Sequence, residues 1–411
     1  MLLFKEFLLE SQGANKHLEH LEDEVLNGGF DGVKKAITYL SSLGSTLKGD
    51  SSKQIKITTK WDGAPAVVAG IDPETEKFFV ATKHGAFSKV PKLNFSNEDI
   101  ENNHEGGLQE VLKDSLRYLK DIGMDGVYQG DLLYSPQKPT TIQSIDGESH
   151  IVFTPNTITY AIKLKSELGK KINASKLGIV WHTKYTGEVV NQMNATFDVN
   201  VDNFKQTSSV WFKDAEYEKM DGIASFTKEE TDSFFSVLSL AGKLFRTLDK
   251  KLLDGIRDDK YLNTQIKAFA NFKIRQGKPI GNVNAHVIGL IKYLQHKLTN
   301  EVDKLKSEKG KENRRKKNED ILKFFTENKN ALKNMFQMQN VLIAAKMIII
   351  KKLQDIQPMT KTFIQTDNGF EITNPEGFVA VTIADGAIKL IDRLEFSRQN
   401  FLAPKTFGSK A

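Results

Sequence analysis

Apolar positions recur along the chain with two different periods, and the changes between them divide it into zones. From residue 1 to about 50 the spacing is helical. Leu18, Leu21 and Leu26, then Val33, Ile37, Leu40 and Leu43, fall on one face around the Asn27-Gly28-Gly29 break. This predicts a helical lead-in packed on the next zone. From about 54 to 224 the period drops to two. Ile55-Lys56-Ile57-Thr58-Thr59 alternates, Ala66 to Ile71 is short and apolar, and Asp72-Pro73-Glu74-Thr75 turns the chain into Phe78-Phe79-Val80-Ala81-Thr82. Further strands are predicted at Gly126 to Tyr134, Thr157 to Lys163 and Leu177 to Tyr185, with one helix at about Leu108 to Ile122. Strands in runs with few helices between them predict antiparallel sheets in an α+β fold rather than a doubly wound parallel sheet.

From about 225 to 357 the helical period returns, with Thr227-Lys228-Glu229-Glu230 as a start signal and Pro358 as a stop. Leu342, Ile343, Met347 and Ile350 form a helix-packing stripe there. Strand character then resumes: Phe363 to Thr366, a turn at Asp367-Asn368-Gly369, Phe370 to Ile372, and Phe378 to Ile383. The expected organisation is a helical lead-in (1–50), a β-rich core made of 51–224 and 358–411, and an all-α insertion (225–357) between its two parts.

Composition narrows the chemistry. With 411 residues, 39% hydrophobic and 27% charged, the chain is long enough for two or three domains and unlike a disordered, collagenous or membrane-embedded protein. Val341 to Ile350, the most apolar stretch, is interrupted by Lys346 and is far short of the roughly 20 residues that cross a bilayer. The first residues lack the pattern of a signal peptide, so a soluble, cytoplasmic protein is expected. There is no cysteine, which excludes disulfides, Cys-ligated metals and a thiol nucleophile. Covalent catalysis would have to run through another residue.

The net charge of +6 makes polyanions plausible partners. Part of the excess is concentrated in Lys304, Lys306, Lys309, Lys311, Arg314, Arg315, Lys316 and Lys317, either a solvated helix face or a set of phosphate contacts. His17 and His20 with Glu22 and Asp23 could suggest a metal site, but their spacing on an exposed helix reads as solvated polar surface.

The candidate chemistry begins at Lys60-Trp61-Asp62-Gly63, directly after a predicted strand. A lysine amine attacks phosphorus when burial or nearby positive charge keeps it unprotonated, and a glycine beside it permits close backbone approach. The motif has company in a fixed order: Thr82-Lys83-His84-Gly85, Tyr128-Gln129-Gly130-Asp131-Leu132, the strand containing Trp181, Glu376-Gly377-Phe378-Val379, and Ile388-Lys389-Leu390-Ile391. This succession, spanning residues 54 to 393, resembles the covalent nucleotidyltransferase superfamily of DNA ligases, RNA ligases and messenger RNA capping enzymes. Residues 17–23 and Lys60 to Pro65 also resemble segments of uncharacterised proteins of large tailed phages, which would place the chain in a host cytoplasm.

The resemblance implies an antiparallel-sheet, ATP-grasp-like nucleotidyltransferase core that uses ATP and Mg²⁺. Lys60 would be the nucleophile that forms a lysyl-nucleotide, with Asp62 and Gly63 beside the nucleotide. Lys83 and Asp131 would lie near the ribose, Trp181, a residue type more often found in a core, could stack on the base, Glu376 would bind the metal, and Lys389 would touch the α-phosphate. The sequence departs from the family pattern in two places: Asp131 stands where most members have Glu, and Ile391 where a second lysine is usual, with Arg393 as a candidate substitute. Only 18 residues follow Arg393, too few for the β-barrel that follows this motif in DNA ligases and capping enzymes. RNA-ligase-like members acting on a 5′-phosphorylated strand, RNA more than DNA, are therefore the closer comparison. The alternatives are a catalytically degenerate nucleic-acid-binding or virion-associated protein of the same fold, and nucleotidyl transfer to a protein or small molecule.

Overall fold

The computed structural model describes residues 19–48, 55–145, 147–197, 199–215, 226–355, 361–366, 369–372, 377–382, 386–398 and 401. Within them the strands in chain order are β1 (Ile55–Lys60), β2 (Ala66–Ile71), β3 (Phe78–Thr82), β4 (Val127–Tyr134), β5 (Thr141–Ile145), β6 (Glu148–Phe153) and β7 (Ile158–Lys163). They continue with β8 (Leu177–Thr186), β9 (Asn194–Thr196), β10 (Val210–Asp214), β11 (Lys361–Thr366), β12 (Gly369–Ile372), β13 (Gly377–Thr382) and β14 (Gly386–Leu390). The longer helices are α1 (Gly29–Lys48), α2 (Gly107–Leu119) and, after residue 227, α3 (Lys228–Phe245), α4 (Lys250–Asp258), α5 (Lys260–Arg275), α6 (Val283–Asp303), α7 (Glu308–Glu327) and α8 (Lys329–Asp355).

The strands form three sheets, ordered β1-β13-β14, β10-β8-β4-β2-β3 with β9 on β8, and β12-β11-β7-β6-β5. Every pairing between these strands is antiparallel except β8 with β10. The mixed α and β character and antiparallel sheets expected from the sequence are therefore present. Strands that follow the helical segment complete sheets begun before it: β13 lies against β1 with Lys60 opposite Gly377, and β11 lies against β7. Strands β5, β6, β9 and β10 had no clear sequence signal; β5 is largely exposed on both faces, which leaves no alternation to read.

The predicted helix starts are visible as atoms. Thr227 Oγ1 accepts from the Glu230 N–H at 3.2 Å while Glu230 accepts from the Thr227 N–H at 2.7 Å, a reciprocal cap that opens α3. Pro358, the expected stop, lies outside the described residues, as do His17, Asp367 and Ile383.

The lead-in and the inserted helices are not separate bodies. Leu21, Leu40 and Leu43 share one apolar core with Phe234, Leu294, Phe336 and Leu342, and that core extends onto Phe378, Ala380, Ile388 and Leu390 of sheet one. The Tyr39 hydroxyl donates to the Ala380 carbonyl, pinning α1 to β13. Strand alternation explains the rest: residues of one parity face the helices, which turns Lys60, Val379 and Lys389 to the opposite face.

The charged start of the described chain differs from the expected solvated surface. Glu22 and Asp23 are buried. Lys346, the charge that interrupts the apolar stretch of α8, is 1% exposed and pairs with Glu22 at 2.7 Å, and Gln339 donates to the Glu22 carbonyl. Asp23 accepts from Arg393 at 3.1 Å. The Lys389 N–H donates to the Glu19 carbonyl, so this segment also borders β14.

Burial acts to raise the Glu22 pKa, but Lys346, with His20 and Arg393, overcomes it and holds the carboxyl at about 2. A folded value below the ordinary 4.5 contributes stability that is complete above that pH and is lost as pH falls through about 2. Lys346→Met strands a buried carboxylate and is expected to cost about 3–5 kcal/mol at pH 7. The slope should also invert, with the variant recovering stability as acid protonates Glu22. Urea unfolding at pH 7 and pH 4 reads both effects, and a loss under about 1 kcal/mol at pH 7 would count against the pair's role.

Candidate functional site

Lys60 ends β1, and the five residues Trp61 to Pro65 carry the chain from sheet one to sheet two. This loop is stitched to β4: the Ala64 N–H donates to the Leu132 carbonyl at 2.9 Å, and the Leu132 N–H donates to the Pro65 carbonyl at 3.2 Å. Ala64-Pro65 is a cis peptide. Trp61 packs on Tyr160 and Trp211 with ring centroids 5.0 and 6.4 Å apart.

Asp62 is buried and committed to the turn between β6 and β7. Its carboxylate accepts from Asn156 Nδ2 at 2.8 Å, from the Thr157 N–H and hydroxyl at 2.7 Å each, and from the Ile158 N–H at 2.8 Å. Its own N–H donates to the Tyr160 hydroxyl at 2.8 Å. The nucleotide contact expected of Asp62 is therefore corrected to a structural one, because these donors already take up its oxygens. Gly63 is corrected likewise. A Cβ there would stand 2.5 Å from Asp131 Cβ and 2.9 Å from the Leu132 carbonyl oxygen, so its smallness serves close packing on β4.

Asp131 is the centre of the cluster. It lies on β4 opposite Ala66, and Lys60, Lys389 and His182 all act on its carboxylate. Burial would raise its pKa; His182, Lys60 and Lys389 more than offset this and lower it. Lys83 follows β3 at the start of a single helical turn, Lys83–Ala86, whose Thr82 cap accepts from the Gly85 N–H. Burial pushes the Lys83 amine below the usual lysine range against the pull of Asp131. Three lysines expected at the site, on β1, β14 and the turn after β3, thus interact electrostatically with one carboxylate. On sheet one, Gly377 lies directly opposite Lys60 in the middle strand; a Cβ there would meet the Leu390 carbonyl at 2.6 Å.

Other expectations fare differently. Trp181 is fully buried on the far face of sheet two, where Tyr128 and Phe204 contact it and Gly130 makes room for its ring. No base can reach it, so the expected stacking is corrected to a core role. Ile391, in place of the second lysine, is buried between sheets with Val180, Trp211 and Phe396. Arg393 is tied to Asp23 and to Asn271 Oδ1 at 3.0 Å and offers no substitute. Glu376 lies outside the described residues. Among the described residues no group of three metal-ligating side chains occurs. A surface cleft beside Phe78, Phe95, Leu116 and Arg117 lies on the α2 side and contains none of the site residues.

Of the basic run, Lys304, Lys306, Lys309, Arg315, Lys316 and Lys317 are exposed on the α6–α7 corner. Lys311 pairs with Glu308 at 2.8 Å and Arg314 with Glu301 at 3.8 Å. Lys317 also sits 5.2 Å over the Tyr261 ring.

His182 is the site residue that sequence reasoning missed. Its Nε2 is 3.5 Å from Asp131 Oδ1. Once Trp181 is assigned to the core, strand alternation alone turns its neighbour to the site face, and that was the available signal.

Asp62→Ala would leave four donors without their acceptor, with an expected loss of about 3–5 kcal/mol. Urea unfolding of the variant checks this; near-unchanged stability would refute the anchoring role of Asp62.

No curated protein and no solved structure matches the chain. Residues 15–405, nearly the whole sequence and all of the lysine cluster, match the model of a family of unknown function (DUF6267), and the chain belongs to that family.

Proposed function

We propose that the chain is an ATP-dependent nucleotidyltransferase of RNA-ligase type that works through a covalent lysyl-AMP at Lys60. The observation that carries it is that Lys60, Lys83 and Lys389, on three separate elements, all interact electrostatically with Asp131, so that a triphosphate there would meet a candidate nucleophile and two further lysines. The unprotonated Lys60 amine attacks the α-phosphorus. A P–N bond forms, the P–O bond to the β-phosphate breaks, pyrophosphate leaves with the electron pair, and the amine loses its proton. Lys389, on the same sheet face as Lys60, would neutralise charge developing on the α-phosphoryl oxygens. The adenylyl group then passes to a 5′-phosphorylated strand, RNA more than DNA, which leaves with AMP attached and frees the lysine.

Mg²⁺ commonly binds through one or two carboxylates and substrate phosphates rather than a protein cage. A site that offers lysines and Asp131 fits an ion held mainly by the nucleotide, with Glu376 as the implied protein ligand. When bound, it would polarise the phosphoryl oxygens.

A second reading has its own support. With Ile391 buried and Arg393 engaged by Asp23, the last motif supplies one cation where the family pattern has two. A chain that binds nucleic acid without catalysis, or that hands the nucleotide to a protein or small molecule, fits that shortage.

Incubation with α-labelled ATP and Mg²⁺ is expected to leave an acid-labile label on the protein. Lys60→Ala should abolish it, and Lys389→Ala should slow it about 100-fold. Label that survives Lys60→Ala, or none on the wild type, would end the proposal. Clear labelling without strand sealing would point to a different acceptor. Replacing Lys309, Arg315 and Lys316 by Glu is expected to weaken single-strand binding and to flatten its salt dependence by about 0.7 per lost contact. An unchanged slope would remove that corner from the nucleic-acid path.

A further inference from the structure

We propose that His182 and Asp131 act as a pair that binds the ribose hydroxyls of the incoming nucleotide, His182 supplying the reach that the short aspartate lacks. The inference rests on the nucleotidyl-transfer reading above and adds a specificity-determining residue to it. Three features carry it. The ladder between β4 and β8 passes from Gln129 opposite Thr183 to Gly130 opposite Trp181, so His182 has no opposite residue. Such an irregularity re-aims a side chain. Here alternation turns the imidazole to the face of Asp131 while Trp181 stays in the core, and the extra residue leaves His182 unpaired in the ladder.

The second feature is the separation. At 3.5 Å between Nε2 and Oδ1, the two groups are too far apart for a good direct hydrogen bond. A vicinal diol fits that arrangement: one hydroxyl donates to the carboxylate and the other accepts from the imidazole N–H. Thr183 Oγ1 is 2.8 Å from His182 Nδ1. With the threonine hydroxyl donating to Nδ1, Nε2 is the ring nitrogen that presents its N–H to the site. The third feature is access. The side chains of His182 and Asp131 are 27% and 17% exposed, so a ligand can touch both. Gln129, the other polar side chain on that face of β4, is occupied by the Tyr185 hydroxyl at 2.6 Å.

A site built on donors and acceptors for hydroxyls rejects an analogue lacking one. The test compares self-labelling rates with ATP and 2′-deoxyATP in the wild type, His182→Ala, His182→Gln and the double variant Asp131→Glu with His182→Ala. The wild type should prefer ATP. His182→Ala should lower the rate with ATP about 10- to 100-fold and bring the ratio of the two nucleotides toward one. The double variant, which restores the missing methylene, should recover much of the preference. The ratio is internal to each variant, so partial misfolding lowers both rates without moving it. A ratio that His182→Ala and His182→Gln both leave at the wild-type value overturns the inference. If the wild type does not self-label, equilibrium binding of the same two nucleotides decides. A ribose preference lost in His182→Ala upholds the pair although the lysyl-nucleotide reading has failed, and absence of binding or of preference ends both.

Discussion

The carboxylate of Asp62 ties the loop between sheets one and two to a turn of sheet three. Its loop leaves sheet one at Lys60 and enters sheet two at Ala66, and its four acceptor bonds reach into the turn of sheet three. A buried carboxylate is tolerated only when its lone pairs are met, so the loop and the β6–β7 turn fix each other's position. Trp61 on one side and Gly63 on the other add shape to this: the indole fills space against Tyr160 and Trp211, and the absent side chain lets the loop lie on Asp131. The aim of Lys60 is inherited from these contacts.

The electrostatics of the cluster follow from that placement. Lysines from three separate elements share the Asp131 carboxylate as an electrostatic neighbour. Like charges so placed repel, and a multiply charged anion relieves the repulsion. The chain keeps this cluster at the front of sheet one while Phe378, Ala380, Ile388 and Leu390 on its back pack against the helices. A packed core behind and lysines in front would hold the phosphate of the proposed chemistry without rearrangement.

Much of the fold was legible because the period of the apolar positions changes where the architecture changes. The α3 cap, the strand run and the return of strands after Asp355 could all be read from residue types. Lys60, Lys83, Asp131 and Lys389 were singled out through motif order, and the structure puts the three lysines within electrostatic reach of Asp131. What was not legible depends on partners distant in sequence. Nothing local to Lys346 announces Glu22, and nothing local to Asp62 announces Asn156 to Ile158. Among the roles misjudged, those of Asp62 and Trp181 belong to residues whose chemistry suits a ligand but whose burial suits the core. The lead-in was expected to pack on the strands that follow it, because its apolar stripe does not reveal what covers it; the inserted helices cover it together with sheet one.

Sheet one has a consequence for how the chain is made. The strand that ends in Lys60 pairs with β13, whose first residue stands opposite it although more than 300 positions later in the sequence. At translation rates of about 5–20 residues per second, β1 waits on the order of tens of seconds for that neighbour. Among the described residues β13 is its sole ladder partner, so a growing chain carries an unmatched strand edge while the whole helical segment is synthesised. The helices built in that interval form the floor on which β13 and β14 settle. The lysine cluster is therefore among the last parts of the molecule to exist, assembled only when both ends of a long loop closure have met.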